Sequence, residues 1–561
     1  MIVYRSDDRR CGTSAELNRL IRDAASMASR TSDGVMDLFI GLGEVESAIA
    51  DRLFPERDGR HPIATAFRKA ALHSAHALLA SSPAESDRRD AELVAVTDTL
   101  RAISRSPLPP AVSRRVSEGY AYYALHPDSY SLAAAEFAHA LRPSSAVCIG
   151  IRSIGASLSA VVAAALERMG VAVTLHTVRP HGHPFDRRVD FDDDLAVALS
   201  TAARHSFFLV VDEGPGLSGS SFGSVAGALG ALGIGPDRVV LFPSWNPDGS
   251  AFRSDEARMQ WIRHRRFCAT VSAAAPQHDG VDLSGGAWRR VVYTDESQWP
   301  AVQPQHEVVK RLMTESGPLV RFAGFGRYGE AKRRRADVLA GAGLGPAPIR
   351  LDNGFLSLPF FEGRPCNLPL PSLVRAIAAH LAFLTRRFPE ARSPQIDTVF
   401  EMVATNIRLG LAEAAPPLPL ERYRTALDAA PCAAIDGRML PHEWIDRHGH
   451  FVKTDALDHH CDHFFPGTQD AGWDLAAAVF EFDMNRAARD QLVAAYVTAS
   501  GDRDVAIRLP FYDLAYPAFR LGYATLARES LGDSPDGRRF SAVADRCRTR
   551  LRSLLTAPNA P

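Results

Sequence analysis

The chain has 561 residues, which is too long for one hydrophobic core and predicts roughly three to four domains. Apolar residues make up 46% and charged residues 23%, and a formal net charge of −1 provides no global field for binding nucleic acid or a membrane surface. No apolar run reaches the ~18 residues needed to span a bilayer. The N-terminal sequence lacks a signal-peptide core, and the seven cysteines include no CxxC pair. These features predict a reducing, cytoplasmic location.

The first part of the chain is predicted to be helical. Residues 14–105 carry apolar side chains at helical spacing, as in LNRLIRDAASMA and TAFRKAALHSAHALLA. The proline-rich segment SRSPLPP then predicts a linker. We therefore expect a helical N-terminal region over residues 1–110 that serves as a packing or oligomerisation layer.

The pattern changes between residues 111 and 255, where short apolar strands alternate with helices. The predicted strands are SAVCIGI (145–151), VAVTLHTV (171–178), FFLVV (207–211) and DRVVLFPS (237–244). Such alternation predicts a parallel sheet with crossover helices. Ligand sites in sheets of this kind lie at the carboxyl ends of the strands.

The third of these strands ends in an unusual way, within SFFLVVDEGPGLSGSSFGS (206–224). Two acids, Asp212 and Glu213, follow the apolar run, and a loop of small residues precedes a predicted helix. Burying carboxylates is costly unless they meet hydroxyls or a metal. Small residues allow backbone amides and hydroxyls to converge on an anion at a helix N-terminus. The combination predicts a site for a sugar that carries a terminal phosphate.

VVDEGPGLSGSS resembles the ribose-phosphate signature of type I phosphoribosyltransferases, with one extra residue between the acids and the phosphate loop. The resemblance implies that Asp212 and Glu213 are catalytic carboxylates that hold the ribose hydroxyls of phosphoribosyl pyrophosphate (PRPP). It also implies that the 5-phosphate lies in a cradle formed by Ser218, Gly219, Ser220 and Ser221.

Two further segments stand where that family binds the diphosphate. GIRSIGASLSAVV (150–162) occupies the place of its pyrophosphate loop, which implies that Arg152 and Ser153 bind substrate. TVRPHGHPFDRRVDFDDD (177–194) occupies the place of a mobile loop, with Arg179 and Arg187 as further substrate contacts. The implied reaction is Mg2+-assisted displacement at ribose C1, a glycosyltransferase reaction, and the sequence does not identify the acceptor.

After an irregular linker (256–303), residues 304–555 resemble the aminoglycoside phosphotransferase and choline kinase class. The order of elements in 317–365 is similar to the N-lobe of that class, with Arg321 in place of its phosphate-anchoring lysine. The segment Trp473-Asp474-Leu475-Ala476 resembles its (W/Y)DLA helix start, in which the aspartate is structural. Asp455 stands nineteen residues before Asp474, which implies a role as the Mg2+ ligand.

The catalytic His-Gly-Asp-x-x-x-x-Asn loop of that class is altered here to IDGRMLPHEWI (435–445). Alignment on Gly437 places Arg438 at the position of the general base and Glu443 near the metal-binding asparagine. A shift of two residues makes Asp436 the catalytic base instead. These changes weigh against ordinary kinase activity because phosphoryl transfer depends on positioned acids and cations.

Histidines and acids are also concentrated in DHHCDHF (458–464). Adjacent residues rarely present ligands to one ion without a second pair elsewhere. The sequence therefore favours hydrogen bonding between histidines and aspartates in a structured loop over a metal site.

The sequence thus predicts a multidomain α/β protein with three parts: a helical N-terminal region, a parallel-sheet phosphoribosyltransferase-like domain and an α+β protein-kinase-like domain. The predicted function is PRPP-dependent transfer, with Mg2+ as cofactor, PRPP as substrate and ATP as a further ligand. One alternative is a PRPP- or nucleotide-binding sensor or scaffold without catalysis. Another is an atypical small-molecule kinase that uses Asp436 and Asp455. Small molecules are the expected partners, nucleic acid and membranes are not, and self-association stays open.

Overall fold

The structure is a computed structural model. It describes residues 1–561 except 4–8, 27–30, 184–185, 217, 251, 253, 270–279, 314–316, 364, 367, 391–395, 412–418, 463, 466 and 557–561. The chain divides into two compact units. We call Asp8–Gln277 with Phe322–Glu330 the sheet unit, and Met1–Asp7 with His278–Arg321 and Ala331–Pro561 the C-terminal unit. The predicted linker and three predicted motifs fall partly outside the described residues: the loop 177–194, GPGL and DHHCDHF.

The sheet unit contains ten α-helices and nine strands among its described residues. Its helices are α1 (Thr13–Ala25), α2 (Ser32–Leu53), α3 (Pro62–Leu79), α4 (Ser86–Ile103), α5 (Glu118–Ala121), α6 (Asp128–Leu141), α7 (Ile154–Arg168), α8 (Asp193–Ala202), α9 (Ser220–Ala231) and α10 (Asp255–Arg263). Its strands are β1 (Arg9–Gly12), β2 (Ala111–Arg114), β3 (Ser145–Ile151), β4 (Ala172–Val178), β5 (His181–His183), β6 (Asp186–Arg188), β7 (Phe207–Val211), β8 (Val239–Phe242) and β9 (Arg265–Arg266).

A five-stranded parallel sheet forms the centre of this unit, in the order β4-β3-β7-β8-β9. Helices connect its successive strands, as the alternating sequence pattern predicted. Strand β7 is apolar along its whole length because both faces of a parallel sheet are covered. In the register of the sheet, Ile149 lies opposite both His176 and Val210. The carboxyl ends of β3 and β7 therefore lie side by side.

The helical N-terminal region predicted from the sequence is present as α1–α4. Helix α2 begins where the Thr31 side chain accepts a hydrogen bond from the amide of Gly34. Helix α3 begins with Pro62, where a missing amide proton is tolerated. Both helices pack against α7, so the N-terminal helices bury one side of the helix that follows β3.

The C-terminal unit has a small sheet followed by a helical region. Its strands are β10 (Val281–Asp282), β11 (Lys310–Leu312), β12 (Pro318–Phe322), β13 (Arg350–Asp352), β14 (Phe355–Pro359), β15 (Cys432–Ala433), β16 (Trp444–Arg447), β17 (His450–Lys453) and β18 (Gln469–Asp470). Its helices are α11 (Arg289–Val292), α12 (Arg327–Gly341), α13 (Pro371–Arg387), α14 (Ile396–Leu411), α15 (Arg424–Asp428), α16 (Gly472–Glu481), α17 (Arg486–Ser500), α18 (Val505–Leu531) and α19 (Pro535–Thr556). The boundary between the units falls within α12.

Strands β10–β14 form a five-stranded sheet in the order β10-β11-β12-β14-β13. The strands expected in PLVRFAG and FLSLPFF are β12 and β14 of this sheet. The helical part packs around Trp473, whose ring contacts Phe465, Tyr516 and Phe519. Trp473 lies in the first turn of the buried helix α16, so these ring contacts hold the start of that helix in the core. In the part of the chain that the structure describes, no helix has the length and apolar character that crossing a membrane requires.

Candidate functional site

A buried carboxylate fixes the loop that follows β15. Asp474, in the first turn of α16, accepts hydrogen bonds from the amides of Asp436 (2.8 Å) and Gly437 (2.9 Å). Burial and the neighbouring Asp436 raise the pKa of Asp474 to about 7. Gly437 has a φ of +85°, which a glycine adopts without strain. The contact agrees with the structural role that the family resemblance implied for Asp474.

A buried lysine lies among the acids next to this loop. The Lys453 ammonium, at the end of β17, is 2.5 Å from Glu443 Oε2 and 3.2 Å from Asp436 Oδ1. It also donates to the backbone carbonyl of Asp455 at 2.5 Å. Burial lowers the pKa of Lys453, but the charges of Asp436 and Glu443 outweigh that effect and raise it overall. Lys453 is therefore a charged, fully enclosed cation.

The carboxylate of Asp436 is held from three directions. Besides Lys453, His380 Nε2 lies 3.0 Å from Oδ2 and His459 Nδ1 lies 3.4 Å from Oδ1. Burial raises the pKa of Asp436, yet Lys453 and the two histidines hold it well below its ordinary value. Its side chain has no exposed surface. A strongly acidic, enclosed carboxylate is poorly suited to accept a proton from a substrate, and its predicted role as base stays a prediction.

Arg321, on β12, binds two further acids. Its guanidinium lies 2.6 Å from Asp455 Oδ1 and 2.8 Å from Asp458 Oδ2, and Lys332 Nζ is 3.4 Å from the same Asp458 oxygen. Burial raises the pKa of Asp455, but Arg321 and His459 hold it well below the ordinary value. The Asp455 side chain is 30% exposed, whereas that of Arg321 is 6% exposed. Asp455 is thus the acid through which this group faces solvent.

His459 lies between the two groups of charges. Its Nε2 is 3.7 Å from Asp455 and 3.9 Å from Glu443. Burial and Arg438 lower the pKa of His459, but Asp455 and Glu443 raise it to about 9 overall. Arg335 holds the surrounding backbone by donating to the carbonyls of Ala434, Ile435 and Ala456. We call Asp436, Glu443, Lys453, Asp455, Asp458, His459, Arg321 and Lys332 the charge cluster.

Two sets of donors in the charge cluster have the spacing of metal ligands: Asp436, Glu443 and His459, and Asp455, Asp458 and His459. In each set the ligand atoms lie within 4.8 Å of one another. However, Lys453 already contacts the acids of the first set, and Arg321 contacts those of the second. As arranged, the residues do not fit a divalent ion, because it would have to displace a buried cation. The predicted role of Asp455 as a Mg2+ ligand stays a prediction.

The predicted PRPP residues lie in the sheet unit. Asp212 and Glu213 follow β7, and their backbone carbonyls accept hydrogen bonds from the Tyr130 hydroxyl at 2.6 and 3.3 Å. Burial raises the pKa of Asp212 to about 7, against the opposing charges of Arg187 and Arg179. Burial and the charge of Glu118 raise the pKa of Glu213 well above its ordinary value.

The serine loop adjoins these acids and leads into α9. Gly219 has a φ of +66°, and the Ser218 and Ser220 hydroxyls are 2.9 Å apart. Arg187 donates to the Ser221 hydroxyl at 3.1 Å. The structure thus brings together two segments that the sequence assigned to one ligand.

Arg152 and Arg179 already bind carboxylates. Arg152 contacts Asp51 at 2.7 Å and Asp58 at 2.6 Å, and Arg179 contacts Asp51 at 2.7 Å. The two acids come from α2 and the segment after it, about a hundred residues earlier in the chain, which sequence spacing could not reveal. The predicted roles of both arginines in binding diphosphate stay predictions.

The contacts at the centre of the charge cluster, around Lys453, were not predicted from the sequence. Lys453 carried a usable signal, since it is one of only four lysines in the chain and precedes the implied metal ligand by two residues. His459 and Asp458 belong to DHHCDHF, where hydrogen bonding between histidines and acids was expected, and they lie in the cluster. His463 of that segment lies outside the described residues. His380 carried no local signal.

No family model matches the chain, and no curated protein matches it. Among solved structures it is similar to choline kinase LicA from Streptococcus pneumoniae (16% identity, 44% of this chain and 89% of that chain, TM-score 0.32). It is also similar to a choline/ethanolamine kinase family protein from Mesorhizobium loti (19% identity, 45% of this chain and 86% of that chain, TM-score 0.29). A third similar structure is a glucosamine kinase in complex with glucosamine, ADP and inorganic phosphate (16% identity, 44% of this chain and 78% of that chain, TM-score 0.32).

These three neighbours are a choline kinase, a choline/ethanolamine kinase family protein and a glucosamine kinase, and each match covers 44–45% of this chain. The comparisons do not show a phosphoribosyltransferase-like domain. The identities are below 20% and the TM-scores near 0.3. Numbers of this size do not identify a substrate, so an assignment of function depends on the side-chain geometry.

Proposed function

We propose that the C-terminal unit binds a nucleoside triphosphate in the manner of small-molecule kinases, with Arg321 as the cation that anchors the phosphates. The observation that carries this proposal is the contact of Arg321 with Asp455 and Asp458, beside a loop whose amides are fixed by Asp474. The places that the sequence resemblance implied for Arg321 and Asp474 support this proposal.

Arg321 is suited to such a ligand by its chemistry. A guanidinium presents a planar fork of donors that fits two oxygens of one phosphate group. Its partner Asp455 is 30% exposed, so a phosphate arriving from solvent would compete with that carboxylate first. Asp458 is more enclosed, at 10% exposure of its side chain, and would keep the guanidinium in place.

The composition of loop 435–445 favours nucleotide binding over fast phosphoryl transfer. Arg438 occupies the position where related kinases carry the general base, and the acid two residues before it, Asp436, is enclosed by three donors. A nearby base that orients the attacking hydroxyl is a recurring part of phosphoryl transfer. We therefore expect nucleotide binding with slow or absent turnover, which corresponds to the sensor alternative.

The test is a calorimetric titration of ATP into the whole protein and into Arg321→Ala. We expect saturable binding that weakens at least tenfold in Arg321→Ala and is unchanged in the control Arg486→Ala, whose side chain is 95% exposed. Phosphate transfer to choline, ethanolamine and glucosamine is followed in the same samples. Absence of ATP binding by the wild type would contradict the proposal, and rapid transfer would favour the atypical kinase instead.

A PRPP site in the sheet unit is a second candidate function, and a backbone feature favours it. Ser153, directly after β3, has a φ of 129° and a ψ of −120°, a conformation that costs a non-glycine residue about 1–3 kcal/mol. Such strain is concentrated at ligand-binding loops. A Cβ atom added to Gly155 would lie 3.2 Å from Asp212 Oδ1, so this loop adjoins the acidic pair.

A shallow cleft opens beside Ser153 and is lined by Ser47, Asp51, Ser117 and Arg179. Titration of PRPP with Mg2+ tests the candidate, with Asp212→Ala/Glu213→Ala as the variant. Asp193→Ala is the control because that side chain is 99% exposed. We expect a stabilisation by PRPP that the double variant loses and the control keeps. An equal response from the double variant would contradict a PRPP site at these acids.

A further inference from the structure

We propose that the Lys453 ammonium is the resident cation of the charge cluster and stands in place of a divalent metal, so that the C-terminal unit binds its ligand without one. Only the reference to a ligand rests on the proposed function. Divalent-metal binding by the protein alone is tested without nucleotide.

The ammonium has the contacts of a bound ion. Three oxygens surround it: Glu443 Oε2 and the Asp455 carbonyl at 2.5 Å, and Asp436 Oδ1 at 3.2 Å. Two of these acids belong to the set of three side chains that has metal-ligand spacing. The Lys453 side chain has no exposed surface, so the ammonium finds its partners only among protein groups. Lys453 therefore occupies the centre that a metal would need.

Strand pairing explains why the lysine reaches this point. Strand β17 pairs antiparallel with β16, and Lys453 lies opposite Trp444. Glu443 directly precedes Trp444, so the register brings the acid beside the lysine. The amide of Thr454 also donates to the Glu443 carbonyl at 2.9 Å, which fixes the two segments together. The position of Lys453 is thus a consequence of the hairpin and does not depend on a ligand.

The balance of charges in the charge cluster also disfavours a divalent metal ion. The charge cluster holds four acids, Asp436, Glu443, Asp455 and Asp458. It also holds three cationic side chains, Lys453, Arg321 and Lys332, and the imidazole of His459, whose Nε2 lies 3.7 Å from Asp455. A divalent ion added to this balance would leave uncompensated positive charge in a buried region, which is strongly unfavourable. Mg2+ additionally requires oxygens at about 2.0–2.1 Å in an octahedron, and the lysine stem fills part of that space.

The test is a Mn2+ titration followed by electron paramagnetic resonance, on wild type and Lys453→Met without nucleotide. We expect no specific Mn2+ site in the wild type. Lys453→Met should acquire one site, bound at least tenfold more tightly than any wild-type binding, and its melting temperature should rise on adding Mn2+. The control Lys453→Arg keeps a cation and should gain no site. A wild-type Mn2+ site that disappears in Glu443→Gln would overturn the proposal, as would a folded Lys453→Met that binds no Mn2+.

If Lys453→Met does not fold, Lys453→Met/Asp436→Asn replaces it, because one charge of each sign is then removed while Glu443, Asp455 and His459 remain. Gain of a Mn2+ site is expected there too, and its absence would equally overturn the proposal. ATP binding measured with and without a chelator gives the second readout, with affinities expected to agree within about twofold. A wild type that binds no ATP would contradict the proposed function alone, while the Mn2+ result would still decide the role of Lys453.

Discussion

Asp436 and Asp455 in the C-terminal unit and Asp212 in the sheet unit lie in opposite electrostatic settings. In the C-terminal unit, Asp436 and Asp455 contact Lys453 and Arg321, and their pKa values lie well below the ordinary value despite burial. In the sheet unit, burial outweighs the nearby positive charge and raises the pKa of Asp212 to about 7. Acids of the first kind have their charge balanced by partners within the fold, Asp436 fully enclosed and Asp455 partly exposed. Acids of the second kind are strained electrostatically and gain from a ligand that supplies hydroxyls or a cation.

The arginines of the sheet unit sharpen this contrast. Arg152 and Arg179 bind Asp51 and Asp58, so much of the available positive charge is committed away from the strand end that carries Asp212. A cation and an acid in the same fold therefore neutralise each other only when the tertiary structure brings them into contact. This arrangement favours a ligand with hydroxyls or a cation at the end of β7, whereas at the charge cluster a ligand would have to compete with the partly exposed Asp455 for Arg321.

The largest effect is expected from removing the acceptor that fixes the loop of the C-terminal unit. In Asp474→Ala the amides of Asp436 and Gly437 lose their partner, at a cost of about 1–3 kcal/mol for each buried amide. Hydrogen exchange in a peptide covering 435–440 should then be about ten to a hundred times faster. Exchange in 207–211 of the sheet unit should stay unchanged.

The control for that experiment is Asp490→Ala, because the Asp490 side chain is 61% exposed and lies 3.9 Å from Arg486. We expect wild-type exchange in 435–440 from this variant. Unchanged exchange in Asp474→Ala would show that the loop holds its conformation without the carboxylate.

The sheet could be predicted closely because its signal is local. Strands β3 and β7 and the helix after each follow from short apolar runs that end in glycine- and serine-rich turns. The structural role of Asp474 was also implied correctly by its sequence motif. These features depend on residues within about twenty positions of one another.

The charge cluster could not be predicted because its partners come from distant parts of the chain. Arg321 contacts acids more than 130 positions away, and His380 contacts an acid 56 positions away. Sequence spacing singled out Asp455, which lies two residues after β17, but did not show that the Lys453 side chain turns back to the Asp455 carbonyl. The likeness to kinases therefore led to a metal prediction that the tertiary contacts do not favour.

The next largest expected effect is on the pH dependence of stability, to which Asp212 contributes with one sign and Asp436 and Asp455 with the other. The pKa of Asp212 is about 7 in the folded state and near 3.8 when unfolded, so the protonated form favours folding. This stabilisation is complete below pH 3.8 and is lost as pH rises through 7. From pH 5 to pH 8 the free energy of opening of β7 should fall by about 2 kcal/mol, as measured by hydrogen exchange. The raised pKa of Glu213 contributes a slope of the same sign, so Asp212→Asn should reduce the slope and Asp212→Asn/Glu213→Gln should remove it.

Asp436 and Asp455 of the C-terminal unit should respond with the opposite sign. The lowered pKa values of Asp436 and Asp455 give a stabilisation that is present above the ordinary value near 3.8 and is lost on acidification below it. Protection of peptide 435–440 should therefore fall below about pH 4, where Asp436 and Asp455 take up protons, while that of peptide 207–211 does not. Between pH 5 and pH 8 the raised pKa of Asp474 should make the protection of peptide 435–440 fall as well. Asp193→Asn, at a 99% exposed side chain, is the control and should leave the slope of β7 unaltered.

The smallest effect is expected at the strained residue after β3. Ser153→Gly allows the φ of 129° without steric cost, and the relief should exceed the loss of chain entropy by about 1 kcal/mol, or about 2 °C in melting temperature. Ser153→Ala keeps the strain and should not gain stability. If the strain serves a ligand, Ser153→Gly should also bind PRPP more weakly, because the loop is no longer held in one conformation. A stabilised variant with unchanged PRPP affinity would separate the strain from binding, and a destabilised one would show that the serine side chain outweighs the backbone.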